Sequence, residues 1–186
     1  METKLRCAWC EKDDLYRNYH DNEWGKPVYD DATIFEFLIL ETFQAGLSWY
    51  TVLAKRENFR KAFDNFNLEK IANYSEDKMA ELAEDAGIIR NKLKIKATVT
   101  NAQAFIKVQE EFGTFSKYIW GFVDGKPIDN KPKTLSEVKA TTPISDALSK
   151  DLKKRGFKFV GSTVMYAHMQ ATGMVNDHIT ECFTRK

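Results

Sequence analysis

The sequence predicts an all-α fold in one domain, residues 1–186, and three observations carry that expectation. Apolar residues recur at spacings of three and four between cap and stop signals along most of the chain. Runs that alternate apolar and polar residues for long enough to make a strand are missing, apart from Phe157, Lys158, Phe159 and Val160. The turn formers gather in one place, where Pro127, Pro132 and Pro143 with Gly121 and Gly125 mark a single long irregular connection over residues 121–143.

Taken in order, the first long helix is expected to be capped by Asp31, to bury Ile34, Phe37 and Leu38, and to end near Ala45-Gly46. A second starts at Ser48 and buries Trp49, Val52, Leu53, Phe59 and Phe63 on one side. Residues 75–86 follow as a helix with Ser75 as cap, Glu76 and Asp77 in the first turn, Met79, Leu82, Ala83 and Ala86 inward, and Gly87 as stop. Gly113 closes the next helix in the same way. Thr142-Pro143 reads as a cap plus first-turn proline for a helix through Leu148 and Leu152, ending in Lys153-Lys154-Arg155 and Gly156. A glycine-bounded hairpin then leads to Ser162-Thr163, which begin another helix.

A chain of 186 residues that is 43% hydrophobic and 30% charged builds a core without disulfides, which excludes disordered, collagenous and membrane-spanning classes. Three cysteines and no apolar run between Met1 and Cys10 point to a cytoplasmic protein with reduced thiols. A monomer is the expected state. Net charge is +1, but residues 1–93 carry 13 basic and 18 acidic side chains while residues 94–186 carry 15 and 9. That asymmetry allows a basic face on a nearly neutral protein.

Three features bear on chemistry. All three cysteines and two of the three histidines lie in the first 20 or last 9 residues, as a metal clip joining the chain ends requires. On spacing, Cys7, Cys10, His20, His178 and Cys182 compete for the four tetrahedral positions of a structural zinc, with His178 and Cys182 four apart as on one helix face. Glu41 falls on the apolar stripe of its own helix, where a charge must be paired, shifted or functional. Trp49 follows a short turn later, so a carboxylate beside an aromatic wall is available to a flat, electron-poor ligand. Finally, Gly161 admits close approach to the free N–H groups of Ser162 and Thr163, and Lys158 stands beside them, an arrangement suited to a phosphate.

The segments Tyr19-His20-Asp21-Asn22-Glu23-Trp24-Gly25, Gln44-Ala45-Gly46-Leu47-Ser48-Trp49, Asp85-Ala86-Gly87-Ile88-Ile89-Arg90, Ser145-Asp146-Ala147-Leu148-Ser149-Lys150 and Arg155-Gly156-Phe157-Lys158-Phe159-Val160-Gly161 occur in this order. Together they resemble the 3-methyladenine DNA glycosylase I family of the helix-hairpin-helix superfamily, over nearly the whole chain. The resemblance implies a helix-hairpin-helix DNA glycosylase fold, with the motif over 144–172 and a structural zinc clip joining 7–20 to 178–182. It places the zinc ligands on Cys7, His20, His178 and Cys182, leaving Cys10 outside the pattern but close enough to exchange with Cys7. It puts Glu41 on the adenine edge, Trp49 on the ring face, and Tyr19, Trp9 and Trp24 around them. Gly46 and Leu47 match the turn that fills the gap left by the extruded nucleotide, and the hairpin from Gly156 to Gly161 grips the phosphate backbone.

The activity so implied is hydrolysis of 3-methyladenine from alkylated double-stranded DNA without strand cleavage, opening base excision repair and releasing free 3-methyladenine. Two other readings stand beside it: a glycosylase that also nicks through a Schiff base on Lys153, Lys154 or Lys158, and a non-catalytic zinc-clipped DNA-binding module. Asp177, near where many helix-hairpin-helix glycosylases carry a catalytic aspartate, is read as an N-cap for the turn holding His178 and Cys182, and His168 as a packed core histidine.

Overall fold

The structure, a computed structural model, describes residues 4–185; Met1, Glu2, Thr3 and Lys186 lie outside the described residues. The helices are α1 (Asp14–Asn22), α2 (Asp31–Gln44), α3 (Trp49–Leu53), α4 (Arg56–Ala62), α5 (Leu68–Ala72), α6 (Glu76–Glu84), α7 (Lys92–Phe112), α8 (Phe115–Trp120), α9 (Pro143–Lys154) and α10 (Ser162–Ala171). No helix among the described residues is long and apolar enough to cross a membrane.

Helix α2 is the axis of the core. Its residues 37–43 are buried without interruption, so this stretch is enclosed on all sides, and α3, α7, α8 and α10 pack around it. Its N-cap is Asp30, whose carboxylate accepts from the amides of Ala32 and Thr33, and not the expected Asp31. The Asp31 carboxylate turns away to take the amides of Phe115 and Ser116 and the side-chain amide of Gln109, at 2.7–2.9 Å. One aspartate thus caps the helix it precedes and its neighbour caps the start of α8.

The single helix expected from Ser48 is two short ones, α3 and α4, separated at Ala54-Lys55. The α9 cap is as expected, a reciprocal box between Thr142 and Ser145 with Pro143 in the first turn. Residues 157–160, the one alternating run, do not form a strand. Phe157 and Val160 are buried anchors of the α9–α10 hairpin, while Lys158 and Phe159 face outward. The strands found are the two-residue pair β1 (Ile128–Asp129) and β2 (Val175–Asn176), parallel, with Ile128 opposite Val175. They fasten the long 121–143 connection to the segment after α10.

Beyond α10 the chain crosses the residues before α2 at contact distance. Gly173 sits at φ +68°, and a Cβ there would fall within the backbone of Lys26 and Pro27. The crossing is stitched by Gly25 N–H to the Gln170 carbonyl and Val28 N–H to the Thr172 carbonyl, both 3.0 Å. It brings residues 7–25 and 175–185 together.

Candidate active site

Between α1, α2, α3, α10 and the long connection lies a cavity of about 270 Å³. Trp9, Tyr16, Tyr19, Trp24 and Trp49 supply its aromatic walls, Glu41 and Gln44 its polar floor, Ala167 and Gln170 the α10 side, and Leu135, Val138 and Lys139 the rim. All five residues expected at a base pocket are brought together. The Asp13 carboxylate caps α1 and sets the helix on which Tyr16, Tyr19 and His20 share a face. Tyr19 lies 5.4 Å from Trp49 and Trp9 lies 5.0 Å from Trp24, ring centre to ring centre. Phe37 backs Trp49 at 6.4 Å in a near-parallel arrangement.

Glu41 is 3% exposed. Its Oε2 and the Trp49 indole Nε1 are buried without a hydrogen-bond partner, two of three such side-chain atoms among the described residues. Burial pushes the Glu41 carboxyl well above its ordinary range. Burial thus disfavours its anionic form, with no positive partner beside it to offset the desolvation. Tyr19 is likewise raised by burial and by Glu41, so it stays a phenol and a donor.

A second cleft, about 150 Å³, joins the first through Glu41, Gln44 and Ala167 and is bounded by Gly46, Leu47 and Thr163. Gly46 has φ +80°, which holds the turn after α2 so that Leu47 projects outward, 44% exposed. Across from it α10 begins at Gly161 with no side chain capping its amides. Ser162 is engaged with Ser145 through their hydroxyls, 2.8 Å apart, while Thr163 and Lys158 are exposed. Lys153, Lys154 and Lys158, the lysines weighed for strand nicking, do not line the base cavity.

On the far side of Trp24, Cys7, His20, His178 and Cys182 are buried with donor atoms all within 4.8 Å of one another. His178 and Cys182 reach this cluster from a turn and not from a helix, since the chain is irregular over 177–179. His20 Nδ1 lies 2.8 Å from Asp21, which Arg6 holds in turn, and His178 Nε2 lies 3.1 Å from the Trp24 carbonyl. Those acceptors require protons on these nitrogens, so the two bare nitrogens face each other 3.2 Å apart. Cys182 Sγ is 3.5 and 3.7 Å from them and Cys7 Sγ is 3.8 Å from His178. A zinc tetrahedron with bonds of about 2.1 and 2.3 Å has edges of roughly 3.4–3.8 Å, close to these four distances, and two thiols with two imidazoles are a donor set that suits such an ion. The Cys10 thiol points elsewhere, donating to the Cys7 carbonyl at 3.1 Å.

Asp177 is not an N-cap. Its buried carboxylate accepts from Asn130, Tyr166 and Gln170 side chains at 2.7–2.9 Å, binding the long connection to α10. His168 is fully buried with Nε2 3.2 Å from the Ile34 carbonyl, a packed core residue whose pKa burial lowers to about 4. Of the pocket residues not singled out, Tyr16 was signalled by its place one turn before Tyr19 and Gln44 by its place one turn after Glu41. Gln170 and Val138 carried no local signal.

A helical protein whose buried acid and unpaired indole N–H converge on one aromatic slot is built to hold a planar heterocycle. The chain belongs to the methyladenine glycosylase family, whose sequence profile matches residues 9–185. It is 50% identical over 177 residues to DNA-3-methyladenine glycosylase 1 of Escherichia coli K12, covering 95% of both chains. To DNA-3-methyladenine glycosylase of Haemophilus influenzae it is 46% identical, covering 95% of this chain and 96% of that one. A crystal structure of a 3-methyladenine DNA glycosylase I superimposes with a TM-score of 0.93 at 50% identity, over 96% of this chain and 98% of that one. The Staphylococcus aureus enzyme, solved for the structural basis of 3-methyladenine recognition, gives 0.94 at 37% identity, over 97% and 96%.

Proposed function

We propose that this chain is a monofunctional DNA glycosylase that turns 3-methyladenine out of alkylated duplex DNA and hydrolyses its glycosidic bond, the first step of base excision repair. The observation that carries the reading is the pair of orphaned polar atoms, Glu41 Oε2 and Trp49 Nε1, in a cavity walled by indoles and phenols. Methylation at N3 makes the nucleoside cationic. A cation over aromatic faces, beside a carboxyl whose anionic form burial alone disfavours, stabilises that anion and gains charge-assisted hydrogen bonds. An unmodified adenine offers no such exchange.

The alkylated base leaves readily because its positive charge accepts the bond's electron pair as the C1′–N9 bond breaks. The sugar becomes oxocarbenium-like, and water adds hydroxide to C1′ while its proton passes to solvent. Glu41 touches the base and is the catalytic residue; Tyr19, Trp49, Trp9 and Trp24 bind and orient it. The cleft between Leu47 and α10 is where the sugar and phosphate belong, with Leu47 filling the vacated stack and Gly46 letting the turn enter. Helix-hairpin-helix contacts over 144–172, through Lys158, the Gly161 and Ser162 backbone and Thr163, hold the phosphates. Zinc on Cys7, His20, His178 and Cys182 would act as a structural cross-link, with no open position for chemistry. Incubation with methylated duplex DNA and chromatography of the released bases tests this: free 3-methyladenine is expected, and its absence overturns the reading.

A further inference from the structure

The Gly46-Leu47 turn and the α9–α10 hairpin are far apart in the sequence, yet one face of α7 touches both. Lys94, in the first turn of α7, is 6% exposed. Its ammonium donates to the carbonyls of Phe43 at 2.9 Å and Ala45 at 2.6 Å, the open end of α2 immediately before Gly46. It also lies 6.0 Å from the centre of the Phe159 ring in the hairpin. Seven residues further along α7, on the same face, the buried Asn101 accepts from the Lys158 N–H at 2.7 Å and donates to the Lys158 carbonyl at 3.1 Å. Thr98, between them, donates to the Lys94 carbonyl.

This polar stripe is an expensive way to fill a core. A cation in the first turn opposes the dipole of its own helix, and burial depresses the Lys94 pKa. An apolar chain of the same length would fill the space with less desolvation. What the ammonium gains is a grip on α2 carbonyls that have no helical partner, at the point where the chain leaves for Leu47.

We infer that Lys94 is a positioning residue for nucleotide extrusion: with Asn101 it fixes the Gly46-Leu47 turn at a set distance from the hairpin, so that Leu47 enters the helix in register with the gripped phosphates. This rests on the glycosylase reading above. A residue acting through Leu47 matters only when a base must leave a duplex, which gives a readout that general loss of structure would not imitate.

The test compares Lys94→Met with wild type on methylated duplex and methylated single-stranded DNA, and measures free 3-methyladenine binding by tryptophan fluorescence. Excision from duplex should fall by roughly ten- to a hundredfold in kcat/KM, the scale of a misplaced positioning element. Single-strand excision and free-base affinity should stay within about twofold. Combined with Leu47→Ala, the loss should be no greater than that of the worse single variant, because both act on one step. Equal losses on the two substrates, or full additivity with Leu47→Ala, would overturn the inference. Should Lys94→Met fail to fold, Asn101→Ala, which removes no charge, is read on the same two substrates with the same expectation. Wild type that releases nothing from either substrate would sink the glycosylase reading, whereas normal wild-type release with an unchanged duplex preference in the variant would sink this inference alone.

Discussion

Replacing Glu41 by Gln should slow base release while leaving the hold on DNA intact. The change keeps the shape of the side chain and removes its capacity to become an anion. Because the group is 3% exposed and its Oε2 has no partner in the protein, no hydrogen bond within the protein is lost at that oxygen. A charge-assisted hydrogen bond contributes about 1.5–3 kcal/mol and a neutral one about 0.5–1.5, so the variant forfeits about 1–2 kcal/mol of interaction with a cationic base. That corresponds to roughly a five- to thirtyfold drop in kcat/KM. Single-turnover excision from methylated duplex DNA reads it, with binding to abasic duplex as the control. The same substitution makes an independent claim about stability. The folded chain keeps the Glu41 proton to higher pH than the unfolded chain does, so it binds more protons over that interval, and stability falls as pH rises from the ordinary carboxyl range toward the raised folded value. The Gln variant should lack that downward slope in urea midpoints. Equal losses in excision and abasic binding, or a slope that survives in the variant, would refute the placement of this acid.

Asp31→Ala strips the start of α8 of two amide partners and should lower stability by about 2 kcal/mol in urea unfolding, with activity of the folded protein kept. His168→Gln should flatten an acid-side slope: the unfolded chain takes up a proton between the ordinary 6.5 and the folded value of about 4 that the folded chain refuses, so this stability is full above the upper value and lost as pH falls through the window. Urea midpoints at neutral and mildly acidic pH check it. Gly173→Ala should leave little soluble folded protein, as circular dichroism would show, since its Cβ has no room against Lys26 and Pro27. Cys182→Ala should abolish stoichiometric metal by elemental analysis and lower Tm by about 5–10 °C, the shift for roughly 2–3 kcal/mol in a chain of this size.

The helix caps were legible because they are local: Ser75, Thr142 and Gly113 do in the structure what their neighbours imply. Asp30 and Asp31 mark the limit of such reasoning. Either residue satisfies the local rule, and the choice between them is made by α8, more than eighty residues later. The β1–β2 pair was illegible for the same reason, since two residues per strand leave no period to read and their partner lies across the fold. No glycine or proline announced the break between α3 and α4. At the site, Glu41 was visible as a charge on an apolar stripe, whereas Gln170 enters only because the crossing at Gly173 turns the end of α10 toward residues 24–28. Residue spacing left five metal-ligand candidates, and family resemblance excluded Cys10; the structure adds the physical reason, a thiol turned to the Cys7 carbonyl.

The walls of the pocket stand on two different supports. Glu41 is carried by α2 and Trp49 by α3; the Trp49 indole packs against the main core and also against a smaller cluster of Tyr19, Phe37, Leu53 and Ala171, in which Phe37 backs it. Trp9 and Trp24 pack against the smaller cluster and not the main core, and their outer side is the Cys/His group: the His178 ring stands edge-on to Trp24 with centres 4.6 Å apart, and His20 lies 5.3 Å from Trp9. Loosening the Cys/His cluster therefore frees the Trp9 and Trp24 wall of the slot before it disturbs Glu41 and the Trp49 ring. Affinity for the free base should thus weaken in Cys182→Ala by more than the rate of excision at saturating substrate, because a wall acts on bound and reacting base alike while Glu41 acts most on the charged base. A variant that lost rate and kept affinity would place the cluster in the chemistry instead.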